Sequence, residues 1–193
     1  MLYIYKMNAL SAVEQDAFFT AVDRCGEAVC LLDDSDLSRT VTEVLDTLEP
    51  VDMRGFKPLA KVDGAPFLLM DVDDLALDPI LAAMRAHKVR IGHKCMVTDK
   101  NRTWTIQKLI GDVAEEHALM TALMKLQKLV ENAADLKESD MNPLLWMAFQ
   151  QKKFQAEDLL AHIGKVEIPV EAVDAVTAQF EQALQMVREG GLS

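Results

Sequence analysis

No run of apolar residues in this chain of 193 comes near the roughly 20 needed to cross a bilayer. Basic residues are scarce: 20 Lys and Arg against 31 Asp and Glu leave a net charge of −11. No Lys/Arg-rich segment offsets this. Lys125, Lys128 and the pair Lys152-Lys153 are mixed with apolar residues, as on an ordinary solvated helix face. An acidic surface repels phosphate backbones and anionic lipid, so neither nucleic acid nor a membrane is an expected partner. Cysteine is scarce too. Cys25, Cys30 and Cys95 are an odd count without framework spacing, which fits a reducing cytoplasm. The start, Met1 to Lys6, has no basic n-region and no small-residue cleavage site, so it does not read as a signal peptide. A Gly-rich phosphate loop, a Ser nucleophile elbow, an H-E-x-x-H pair and a Walker pattern are all missing. The expectation is a cytoplasmic protein with no assignable catalytic residue, cofactor or metal.

What is present is ordinary for a globular chain: half the residues are apolar and about a quarter charged, enough for a real core in one large domain or two small ones. The informative feature is internal similarity. Residues 2–48 shifted by 65 positions fall on residues 67–113 without a gap, giving six identities: Leu10/Leu75, Ala17/Ala82, Ala21/Ala86, Cys30/Cys95, Asp34/Asp99 and Thr40/Thr105. Six is few. The coincidence of apolar runs says more: Leu2 to Tyr5 with Phe67 to Met70, and Val29 to Leu32 with Lys94 to Val97. Repeats decide architecture, so this one is taken first.

Each copy reads strand, helix, strand, helix. Leu2 to Met7 and Ala28 to Leu32 are apolar, strand-like runs, and Ser11 to Arg24 has helical spacing with Gly26 as a C-cap. In the second copy Phe67 to Val72 and His93 to Thr98 are strands. Asp78-Pro79 is expected to open a helix, since Pro suits the first helical position. Two βαβ units with short helical crossovers predict a four-stranded, mostly parallel sheet with pseudo-two-fold symmetry; paired ferredoxin-like units with antiparallel neighbours are the alternative. Glu49 to Pro66 is a connector, long for a compact domain. Beyond the copies, Thr103 to Asp135 is one long helix or two broken at Gly111. Asn142-Pro143 and Pro169 open two more helices. The fold class is α/β: tandem duplicated βαβα units (1–48 and 67–116, joined by 49–66) followed by an all-helical region, 117–193. The long helix carries two apolar stripes. Ile106, Leu109, Ile110 and Val113 suit the sheet. Leu119, Leu123, Leu126 and Val130 need another partner, either the tail helices or a second subunit, so a homodimer through the helical region is expected.

Four groupings could carry chemistry. Thr98, Asp99, Asn101 and Trp104 follow a strand and precede a helix, where open α/β sheets bind ligands and helix N-termini favour anions; turn and cap hydrogen bonds are the plainer reading. Asp33, Asp34, Asp36, Asp71, Asp73, Asp74 and Asp99 all follow strands and could converge on a hard cation such as Mg²⁺ if their loops share one sheet edge. They also suit N-caps and helix dipoles. His93, Cys95 and Cys30 offer three soft ligands, one short of a closed zinc site, and buried cysteines are ordinary core residues. Glu116 and His117 form an acid/base pair on the long helix, but roughly 24 Å of helical rise separates His117 from Asn101, so one chain cannot join them in one site.

The stretch Cys95 to Thr105, with Glu115-Glu116-His117 downstream, resembles a small bacterial domain family of unknown function with the pattern T-x-x-N-x-x-W-T. The resemblance covers about residues 66–118 and implies no activity. It singles out Thr98, Asn101, Trp104, Glu116 and His117. The first copy has Asp33, Asp36 and Arg39 at the places of Thr98, Asn101 and Trp104, and that asymmetry favours a function confined to the second copy. Function itself is not legible. A non-enzymatic interaction or regulatory protein is the leading expectation, with small-molecule or anion binding at Thr98–Trp104, metal-assisted or not, as the alternative.

Overall fold

The computed structural model describes residues 1–53, 56–138 and 142–190; Arg54 and Gly55 of the connector fall outside. The chain forms two compact units, Met1–Glu115 and Glu116 onward. The first is α/β. Its strands β1 (Leu2–Tyr5), β2 (Val29–Leu32), β3 (Phe67–Met70) and β4 (His93–Met96) form one sheet in the order β2-β1-β3-β4. β1 pairs parallel with β2 and β3 with β4, while the central pair β1–β3 is antiparallel. Two of three pairings are therefore parallel, and each parallel pair is closed by one crossover helix: α1 (Ala12–Arg24) or α3 (Asp74–Ala86).

Strand side chains alternate between two apolar layers. Leu2, Ile4, Val29, Leu68 and Met70 pack with Phe18, Phe19 and Val22 of α1 and Ile80 and Met84 of α3. Tyr3, Cys30, Leu32, Phe67 and Leu69 face α2 (Val41–Thr47) and the start of α4 (Ile106–Asn132) through Val41, Val44, Ile106 and Leu109. Burial on both faces explains why the strands read as unbroken apolar runs rather than alternating ones.

Helix ends follow side-chain chemistry. Ser11 caps α1 in a capping box with Glu14, and Thr40 caps α2 with Glu43. α3 departs from the expectation. It starts at Asp74, so Pro79 lies inside it rather than at its first position. The carbonyl that Pro79 leaves without a helical donor is that of Leu75, four residues back. Leu75 is 92% exposed, so water reaches that carbonyl and the helix tolerates the proline. α4 runs unbroken through Gly111. No secondary structure forms in the described part of the connector, yet it is fastened. The fully buried Gln15 accepts from the Leu59 N–H at 2.8 Å and donates to the Leu59 carbonyl at 3.2 Å, and the Val62 N–H donates to the Asn8 carbonyl at 3.0 Å.

The second unit is helical. Leu123 and Leu126 of α4 pack with Phe149 and Ala156 of α5 (Pro143–Ala161) and with Val173, Phe180, Leu184 and Val187 of α6 (Val170–Gly190). The second stripe of α4, with Leu119 and Val130 partly buried beside it, is thus covered by the chain's own tail helices and needs no second subunit. Among the described residues, no helix is long and apolar enough to cross a membrane.

Candidate functional site

The turn after β4 is built by its own polar groups. Asn101, only 8% exposed, accepts from the Thr98 N–H at 2.8 Å through Oδ1 and donates to the Met96 carbonyl at 2.9 Å through Nδ2. Thr98 Oγ1 accepts in return from the Asn101 N–H at 3.4 Å. Asp99 is exposed, with its carboxylate 4.0 Å from Arg102. Trp104 is half-buried against the α2/α4 side of the sheet, and the Lys108 ammonium lies 4.0 Å from its ring centroid.

The turn after β2 solves the same problem differently. Asp36, 4% exposed, sits 65 residues before Asn101 and accepts from the Asp33 N–H at 3.0 Å, as Asn101 does from Thr98. Its other oxygen accepts from Arg39 at 2.7 Å. A carboxylate cannot donate, so it cannot reach back to a strand carbonyl as the Asn101 amide does; a cation must neutralise it instead. Asn101 is neutral and satisfies itself, which releases position 104 from that duty, and Trp104 packs where Arg39 would stand. The difference between the two turns has a structural cause at these positions.

The two turns also meet. Thr40 and Thr105 form an antiparallel bridge, and the bonds around it are reciprocal. The Val41 N–H donates to the Trp104 carbonyl and the Ile106 N–H to the Arg39 carbonyl, both at 2.9 Å; the Thr42 N–H donates to Arg102 at 3.1 Å and the Gln107 N–H to Leu37 at 2.9 Å. Shifting either partner by 65 reproduces the other bond of each pair. Sequence reading missed this bridge and the part played by Asp36 and Arg39. The signal was the alignment of Asp36 with Asn101.

The metal groupings do not assemble. Because β1 and β3 are antiparallel, the carboxyl ends of β1 and β2 lie at one sheet edge and those of β3 and β4 at the other. Asp33, Asp34 and Asp36 are therefore separated from Asp71, Asp73, Asp74 and Asp99. Cys30 and Cys95 share a face and a row, Cys30–Tyr3–Leu69–Cys95. Three inter-strand steps put them roughly 14 Å apart, too far to share a zinc ion with His93. Cys30 is instead a core thiol near the Leu48 carbonyl, at 3.7 Å, and burial pushes its pKa up. Among the described residues, no group of three or more His, Cys, Asp or Glu is placed to hold a metal. Glu116 and His117 are exposed on α4; the His117 carbonyl accepts from Thr121 Oγ1 at 2.8 Å.

Residues 67–120 match the model of a domain of unknown function, DUF3783. The DUF3783 match takes in β3, α3, β4 and the start of α4, and with them the Thr98–Trp104 turn and Glu116-His117. No curated protein and no solved structure matches the chain.

Proposed function

We propose that the chain is a non-enzymatic interaction module that self-associates through the outer face of α5. The observation that carries this reading is a stripe of uncovered apolar side chains: Leu144 is 77% exposed, Met147 69% and Phe154 68%. Their spacing of three and seven residues places them on one helix face. Single exposed apolar residues are ordinary, but three on one face of one helix mark an interaction surface. A second copy of the chain presents the same row, as two-fold association requires. The Thr98 and Asn101 side chains are spent on the turn itself, which argues against a ligand held by them. Cys25, Cys30 and Cys95 form no disulfide among the described residues, which suits a reducing cytoplasm. The reciprocal bonds around Thr40 and Thr105 support a tandem duplication of one βαβα unit as the origin of the sheet.

Substitution tests the reading. Met147→Glu with Phe154→Glu leaves the inner face of α5 untouched, so the helical signal in circular dichroism should persist while chemical cross-linking of the chain to itself is lost. Cross-linking that persists at wild-type level would reject the α5 face.

A further inference from the structure

A cavity of about 600 Å³ opens where β1 and β2 end, within the size range of small-molecule sites. It lies outside the carboxyl ends of two parallel, adjacent strands, the position where open α/β sheets hold ligands. Leu31, Leu59 and Val62 give it apolar surface, and Lys6, Asp34 and Asp63 give it charge of both signs. The connector forms one wall, at Leu59 and Val62, and the Gln15 and Asn8 bonds described above hold that wall in place.

Lys6 is specially placed. Its φ is +51°, an uncommon conformation for a residue with a side chain. Its ammonium lies 5.6 Å from the centroid of the Tyr5 ring. Gly64, at φ +124°, approaches so closely that a Cβ there would stand 3.0 Å from Lys6 Nζ. Three aspartates line the same cavity, yet Lys6 forms no ion pair among the described residues. Asp34 accepts from the Tyr5 hydroxyl at 2.7 Å through Oδ1, which leaves its second oxygen for another donor.

We propose that this cavity binds a small zwitterion with an apolar tail, an aliphatic α-amino acid. Its carboxylate meets Lys6, its ammonium meets Asp34, and its side chain lies against Leu31, Leu59 and Val62. A simple carboxylate would face the aspartates without compensation, and a simple amine would face Lys6. A ligand with both charges pairs with both Lys6 and Asp34. This site is independent of the α5 face, and either can fail alone.

Isothermal titration of the full chain tests the proposal with three probes: L-leucine, 3-methylbutylamine (leucine without its carboxylate) and 4-methylpentanoate (leucine without its ammonium). Leucine should bind, and each truncated probe should bind at least about tenfold more weakly. Lys6→Met and Asp34→Asn should each weaken leucine by a similar factor, with melting curves showing that both variants fold. Gly64→Ala, which pushes on Lys6, should weaken it as well. Absence of leucine binding would overturn the proposal. So would an amine that binds as tightly as leucine, or leucine binding unchanged by Lys6→Met in a folded variant.

Discussion

Asn101 carries more of the structure than its place in a surface turn suggests. Replacing it with Ala leaves the Thr98 N–H and the Met96 carbonyl without their partner in a nearly buried turn. An unsatisfied buried polar group costs about 1–3 kcal/mol. Asn101→Ala should therefore lower unfolding free energy by about that amount in a denaturant titration, and a loss below ~0.5 kcal/mol would show that the turn does not depend on this side chain. The two tyrosines allow a second residue-scale test. The hydrogen bond to Asp34 pushes Tyr5 up to about 12, and burial pushes Tyr3 up to about 12. A raised folded pKa favours the neutral phenol. That stability is present below the unfolded value of about 10 and is lost as pH rises through about 12. Tyrosinate absorbance should thus appear late in the folded protein, and Asp34→Asn should bring one of the two phenols down while the other stays. Unchanged titration in that variant would contradict the Tyr5–Asp34 bond. At this scale the sequence exposed the right positions but not their partners. Asp36 and Asn101 align at a shift of 65, but only the folded turn shows that one needs Arg39 and the other needs nothing beyond its own strand.

Elements were legible where local chemistry decides them. Asn142-Pro143 and the apolar periodicities place most strands and helices directly, whereas the caps Ser11 and Thr40 emerge only from the structure. Glu14 and Glu43 are held below the ordinary carboxylate range by their capping bonds to Ser11 and Thr40. A depressed carboxylate stabilises the fold above its unfolded pKa, and that contribution is lost as pH falls through the folded value. Melting temperature should fall on acidification below about 4, and Ser11→Ala should flatten the part of that fall due to Glu14. An identical pH profile in Ser11→Ala would contradict the capping box. α3 was less legible: Pro79 signals a helix start, and only the exposure of Leu75 explains why it sits inside instead. The ungapped shift of 65 also fails at element scale. Tyr3 faces the α2/α4 layer while Leu68, its counterpart at that shift, faces the α1/α3 layer, because an odd slip reverses strand faces. The crossover helices match at a shift of 62 instead, with Phe18 over Ile80 and Val22 over Met84. The same shift carries Gly26 (φ +71°) onto Lys88 (φ +60°). Both follow a helix end, where glycine is preferred. Lys88→Gly should stabilise the protein by about 1 kcal/mol, read as a higher denaturant midpoint. A lower midpoint would contradict a strained Lys88.

At the scale of the whole molecule, local signals give way to long-range pairing. Apolar strands cannot say which neighbours they take, and the antiparallel β1–β3 pair decides where every loop goes. That single pairing separates the acidic loops and sends the two strand-end turns to opposite edges before they meet at Thr40 and Thr105. The helical unit shows the same limit. The stripe Leu119–Val130 announced a partner, but periodicity could not say whether the partner was the chain's own tail or another copy. It is the tail. What is left uncovered is the row Leu144, Met147 and Phe154, and self-association now rests on it. Sedimentation equilibrium of the full chain across a micromolar concentration series measures this directly. The weight-average mass should rise from that of the 21.5 kDa chain toward twice that value, and Met147→Glu with Phe154→Glu should hold it at the monomer. A wild-type chain that stays monomeric across the series would contradict the proposed function.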